Sequence, residues 1–385
     1  QSLLHFLQNL SLQYTHLPQY QIEFSNVLAD FLLPQRTIVL GLVFACLALY
    51  FLWNYWENKK SKNLIWAGVV IGLMPAIHTH LFLALIIFCG FLFLIQWIFY
   101  HEFKIKDWLM CALPVLILAL IPTLWFFPFG NKSFFRIQWG WMAQDTFFWN
   151  FWLKNLGLYL LFIIAGFIIA LQLDHQKKIA SFYGASIGIF VLANIFIFQP
   201  WEFDNTKIFM LWFLLSAALV AIFFDYLFSK KKWGYKILAL FLLILTLLPG
   251  ILAAQKERAD RYVLYSPADQ ALAAFVEKNT QPDDLFLTTD KHNNPISSLA
   301  GRRILMGYRG WLWSHGIDYT KRYEELSAIY RGDDNADQLI NQYSPDYILI
   351  EKYPQNDWVI NYDYFRNRFP IFYENSAYIL YKGGE

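Results

Sequence analysis

The residues in this chain that could do chemistry stand in a few short stretches between long apolar runs. Residues 199–207, QPWEFDNTK, set Glu202, Asp204, Asn205 and Lys207 beside the indole of Trp201. A cation, an amide and an aromatic plane in one polar turn suit a sugar-phosphate ligand. The competing reading is local: Asp204 as an N-cap, and a carboxylate favoured by the dipole of the helix that follows. His78 and His80 end an apolar run at spacing i, i+2. No third ligand adjoins them, so binding of phosphate or sugar hydroxyls fits this pair better than zinc does, and the competing reading is a pair of interfacial polar caps. Residues 290–318 combine Arg302, Arg303 and Arg309 with Trp311, Trp313 and His315. Such guanidinium and indole groups either meet phosphate and sugar faces or form a docking surface. The sequence contains no CxxC, Walker or GxGxxG pattern.

The elements that must position these groups are mostly membrane helices. Of the 385 residues 57% are hydrophobic, 20% aromatic and 16% charged, a composition that points to a polytopic membrane protein. A net charge of +2 offers nothing for nucleic acid. Eight segments approach the roughly 20 apolar residues a span needs: 36–55, 64–78, 80–100, 108–128, 155–173, 179–198, 208–228 and 237–254. The second carries Gly68, Gly72 and Pro75 and reads as a broken or re-entrant helix ending at His78. Cys46, Cys89 and Cys111 fall inside spans and read as small buried residues.

Lysines settle the expected orientation. Lys59, Lys60, Lys62, Lys104, Lys106, Lys177, Lys178, Lys230, Lys231, Lys232 and Lys236 all fall in alternate loops, which the positive-inside rule makes cytoplasmic. Residues 1–35, His78 and His80, loop 129–154, residues 199–207 and the C-terminal domain then share the extracytoplasmic side. Glu23, Asp30 and Arg36 belong to an expected interfacial segment, and the aromatic loop 129–154 is expected at headgroup level, as an anchor or a lid. The fold class is therefore an α-helical polytopic membrane domain of about eight spans, residues 1–254, followed by a small α/β extracytoplasmic domain, residues 255–385. In the latter, Ser266, Pro267 and Asp269 open a capped helix. LFLTTD, YILIEK and AYILYK read as strands of a mainly parallel sheet, with helices at about 320–331 and 335–343.

GLMPAIHTH (72–80), FQPWEFDNTK (198–207), AGRRILMGYRGWLWSHGIDY (300–319) and the closing YILIEK and FYENSAYILYK stretches together resemble the GT-C superfamily of integral membrane glycosyltransferases. The resemblance covers most of the chain and implies a mannosyltransferase-like enzyme of a bacterial inner membrane. Such an enzyme moves a hexosyl or pentosyl unit from a polyprenyl-phosphate donor to an acceptor glycan, lipid or protein. It implies no nucleic-acid partner and leaves a divalent metal open. That superfamily places its acidic general base in the first extracytoplasmic loop after a first span. This chain opens at Gln1 with no such span ahead of Glu23 and Asp30, so the base is expected upstream of a fragment and no residue here is given the role. His78, His80, Arg36 and Lys207 are the candidates for the leaving phosphate. Trp201, Glu202, Asp204 and Asn205, with Arg302 and Arg309, are those for the rest of the substrate. A non-enzymatic transporter or lipid-binding scaffold of the cell envelope is the alternative. A carboxylate following a first span would separate the two.

Overall fold

The computed structural model describes residues 16–126, 135–143, 146–173, 176–199, 201–354 and 358–383. The chain forms two compact units, Gln1–Asp260 and Arg261–Glu385. The boundary falls beyond residue 254 because the last long helix of the first unit runs on to Ala259.

In the first unit the apolar runs form helices α1 (Arg36–Asn58), α2 (Lys62–Leu73), α3 (Thr79–Tyr100), α4 (Ile105–Phe126), α5 (Phe148–Leu156), α6 (Leu158–Gln172), α7 (Lys177–Ile195), α8 (Thr206–Phe228) and α9 (Trp233–Ala259). Among the described residues, six of these (α1, α3, α4, α7, α8 and α9) are long and apolar enough to cross a membrane, and they point to an integral membrane protein. A seventh is added if the bent pair α5 and α6 counts as one span. The expected count of eight is too high for two reasons. The apolar stretch Lys62–Ala76, at 1.5 Å per residue, reaches only about 22 Å, short of a bilayer core of about 30 Å. The run expected at 155–173 turns by 99° between α5 and α6. Gly157 makes that turn at φ +54°, a region an L side chain rarely adopts.

Small residues let the helices approach. A Cβ on Gly166 of α6 would stand 2.0 Å from the Leu219 carbonyl oxygen of α8, so the two backbones touch where a larger residue would wedge them apart. Aromatic rings fill the space above. Trp152 of α5 is fully buried, with Phe24, Phe190 and Phe209 at ring-centroid distances of 5.2, 4.9 and 5.3 Å. The aromatic stretch expected to lie at headgroup level is therefore partly core; Trp139 and Trp149 remain exposed. Residues 129–134 and 144–145 of that loop lie outside the described residues. Phe24 belongs to the N-terminal segment, which Asn155 fastens down. The Asn155 Oδ1 accepts from the Glu23 and Phe24 amides, each at 2.8 Å, and its Nδ2 donates to the Gln21 carbonyl at 2.8 Å.

The second unit is a five-stranded sheet with helices on both faces. Its helices are α10 (Pro267–Asn279), α11 (Pro295–Ser298), α12 (Arg309–Ser314), α13 (Thr320–Arg331), α14 (Ala336–Tyr343) and α15 (Tyr362–Arg368). In the first unit β1 (Arg136–Ile137) pairs with β2 (Phe196–Ile197). Strands β3 (Leu285–Leu287), β4 (Arg303–Ile304), β5 (Tyr347–Glu351), β6 (Ile371–Glu374) and β7 (Tyr378–Lys382) take the order β4-β3-β5-β7-β6. The pairings of β3 with β4 and β5 are parallel, and those of β7 with β5 and β6 antiparallel. The sheet is thus mixed, not mainly parallel, because the chain closes with a hairpin. Alternation along β5 feeds two cores: Ile348 and Ile350 join Leu326, Ile329 and Phe365, while Leu349 joins Leu272, Val276 and Phe286.

Close packing at Gly166 gives a direct check. Gly166→Leu is expected to lower the melting temperature of the detergent-solubilised protein, with an overpacking penalty of about 1–3 kcal/mol. Gly90→Ala, where an added Cβ meets nothing within 4 Å, should leave it unchanged or raise it.

Candidate functional site

In the first unit the polar groups gather where α3 and α8 begin. His78 is the N-cap of α3, and its Nδ1 accepts from the Leu81 amide at 3.2 Å, satisfying one of the helix's unpaired N–H groups. With Nδ1 accepting, the proton of the neutral ring sits on Nε2. The His80 ring lies 5.4 Å from that of His78. Its Nε2 is buried and has no hydrogen-bond partner among the described residues. Lys207, in the first turn of α8, is the cation that acts electrostatically on both imidazoles. Its Nζ pairs with Asp204 Oδ1 at 2.7 Å. Of the residues singled out in the sequence, His78 and His80 thereby lie side by side, and Asp204 and Lys207 form an ion pair whose cation acts on them through space.

The other candidates hold different posts. Asn205 is fully buried. Its Oδ1 accepts from the Phe198 amide at 3.1 Å, and its Nδ2 donates to the Ala193 and Phe196 carbonyls at 3.1 and 3.0 Å. The amide therefore closes the turn between α7 and α8 and has no reach toward a ligand. Glu202 bridges to Arg136 at 2.8 Å. Trp201 is half exposed, its ring 5.6 Å from Phe203. Arg36 opens α1, but its side chain lies outside the described residues. Arg302 and Arg309 belong to the second unit. Arg302 clamps the end of α10 by donating to the Ala300, Glu277 and Thr280 carbonyls and to Thr280 Oγ1. No group of three or more His, Cys, Asp or Glu side chains suited to a metal occurs among the described residues.

In the second unit a polar network lies where the parallel strands end. From β3 the chain passes to β4 on one side and then to β5 on the other, so the topological switch point falls between β3 and β5, at their carboxyl ends. Thr289, Asp290 and Lys291 follow β3, and Glu351 closes β5. Thr289 donates to the buried Glu351 carboxylate. Asp290, 1% exposed, accepts from Arg309 Nε and from Trp358 Nε1, the latter at 2.7 Å. Lys291 Nζ reaches Asp269 Oδ1 at 3.1 Å and the Tyr378 hydroxyl at 2.5 Å. Burial, reinforced by Asp269 and Asp290, raises the Glu351 pKa against the opposing pull of Thr289 and Lys291. At Asp269 burial also pushes upward, but hydrogen bonds from Tyr378, Ser266 and Lys291 outweigh it and the pKa falls.

Sequence reading found Arg309 in this network and missed its partners. Asp269 and Tyr378 lie 109 positions apart and Thr289 and Glu351 62 apart; only the sheet joins them. The one local signal was Glu351 itself, an acid closing the apolar run YILI. Compared with known proteins, the chain matches no family model and no curated sequence.

The two carboxylates should respond to pH in opposite senses. Glu351 binds its proton more tightly folded than unfolded, so stability falls as pH rises from below the ordinary 4.5 through the raised value. Glu351→Gln should remove that loss and raise hydrogen-exchange protection of residues 261–385, relative to wild type, toward neutral pH. Asp269 contributes stability above the ordinary 3.8 that disappears as pH falls through its lowered value. Asp269→Asn should therefore reduce protection at neutral pH and converge on wild type in acid.

Proposed function

We propose that the protein is a membrane glycosyltransferase that takes a sugar from a polyprenyl-phosphate donor and passes it to an acceptor hydroxyl. The observation that carries this reading is the buried, unpartnered His80 Nε2 beside His78 and Lys207, where two helices begin. Helix N-termini and a lysine present positive potential together, which suits a phosphate more than a neutral ligand. The long apolar helices of the first unit suit a donor whose tail stays in the bilayer. The cluster also lies at the helix ends away from Lys59, Lys62, Lys104, Lys177 and Lys231; by the positive-inside rule that end is extracytoplasmic.

In the proposed transfer, the acceptor oxygen forms a bond to the anomeric carbon as the bond from that carbon to the phosphate oxygen breaks. The acceptor's proton passes to a carboxylate acting as general base. Negative charge grows on the departing phosphate, and Lys207, with the N–H of a neutral imidazole, is placed to stabilise it. Asp204 holds the Lys207 ammonium in place while no phosphate is bound. Asn205 acts only by fixing the turn.

The test is transfer by the purified protein in vesicles from a panel of polyprenyl-phosphate hexoses and pentoses. Lys207→Met should lower kcat by about 100-fold or more, in line with loss of one preorganised group facing developing charge, while the circular dichroism spectrum stays that of wild type. Full activity in Lys207→Met and in His80→Ala would remove the cluster from the reaction, and an inactive wild type across the panel would remove the reaction itself.

A further inference from the structure

The second unit exposes large apolar side chains on and just beyond helix α12 that neither its cores nor its polar network uses. Trp311 and Trp313, in helix α12, are 54% and 44% exposed, and Ile317, just beyond the helix, is 53% exposed. The rings of Tyr308 and Trp311 pack on His292, at 4.8 and 4.9 Å, and hold this surface in shape. Large apolar groups are rarely gathered on a surface without something to meet, and tryptophan favours the headgroup layer of a bilayer, where its ring is half wet.

Two features say what this patch meets. The first is its place in the fold. Arg309, the first residue of α12, is bound to Asp290 at the carboxyl end of β3. Asp269, in the first turn of α10, is bound to Lys291 at that same end. The patch and the point where the chain enters the second unit therefore occupy one edge of the sheet. The second is the tether. Helix α9, long and apolar enough to cross a membrane, ends at Ala259, and α10 begins at Pro267. The intervening segment reaches at most about 25 Å at full extension, and it is apolar and open itself, with Tyr262 84% and Val263 77% exposed.

We propose that this edge of the second unit rests on the headgroup layer of the bilayer that α9 crosses, with Trp311, Trp313 and Ile317 inserted at the interface. The surrounding exposed charges have both signs, as Lys321 and Glu324 show, so the contact is with the lipid interface in general and not with one headgroup. It stands apart from glycosyl transfer and does not depend on it.

The experiment uses the whole protein reconstituted in vesicles of phosphatidylcholine and phosphatidylglycerol. An environment-sensitive fluorophore is attached to Trp313→Cys, and in a separate variant to Asp283→Cys at the opposite edge of the sheet, before β3, with Cys46, Cys89 and Cys111 replaced by alanine. The Trp313→Cys label should emit at shorter wavelength and be quenched several-fold more by nitroxide lipid than the Asp283→Cys label, which iodide should quench. Equal quenching of both labels by iodide would overturn the proposal. So would a blue-shifted Trp313→Cys label that neither quencher reaches, since that means cover by protein. With the native cysteines retained, Trp311→Ser combined with Trp313→Ser should reduce the share of tryptophan emission quenched by brominated lipid. An unchanged share would equally overturn it.

Discussion

The Asn205 side chain is the fastening on which the first unit's polar face depends. Its amide meets one N–H and two carbonyls of the turn between α7 and α8. Where helices leave an apolar layer, backbone groups that lose their helical partners must find others, and each one left unpaired costs several kcal/mol. Asn205 meets that requirement for the Phe198 amide and the Phe196 carbonyl and shares the Ala193 carbonyl with the Trp141 indole, and the turn it closes delivers Lys207 into the first turn of α8. Thr206, next in the chain, is bound by Ser25 of the N-terminal segment at 2.8 Å. The same turn thus sets both the lysine and the segment fastened by Asn155.

Around that turn the molecule separates two kinds of polar residue. Asn205, Asn155 and Arg302 direct their side-chain hydrogen bonds to backbone groups or side chains of the fold. The His80 Nε2 does not, and the lysine whose charge acts on its ring already has a counter-ion in Asp204. A buried polar atom without a partner lowers stability, and a bound ligand, ion or water can supply the missing bond. The second unit places its comparable density of charge at a switch point of the sheet, but there the groups satisfy one another. Asp290 is held by Arg309 and Trp358, and Glu351 by Thr289. The first cluster is therefore the better candidate for chemistry.

What the sequence made legible follows from which signals are local. Apolar runs, lysine placement and the Ser266 capping box are read within a few residues, and long helices and the capped α10 came through. The span count did not, because length alone separates Lys62–Ala76 from a crossing helix and one glycine, Gly157, breaks another run. Strand β4 has two residues and leaves almost no pattern. In QPWEFDNTK the residue types were right for a polar site, yet periodicity cannot show that Asn205 turns inward while Lys207 acts through space on the histidines. The hydrogen-bond partners that decide those roles lie up to 12 positions away, and His78 and Lys207 come from different helices. The network around Glu351 was hidden for the same reason at longer range.

The central claim is that His78, His80 and Lys207 form a site for the phosphate of a lipid carrier. It is tested most directly by the thermal stability of the detergent-solubilised protein with polyprenyl phosphate and with the matching polyprenol, which has the same tail and no phosphate. The account predicts a saturable rise in melting temperature with the phosphate alone, absent in Lys207→Met. Equal effects of the two lipids, or a phosphate effect that survives Lys207→Met, would contradict it.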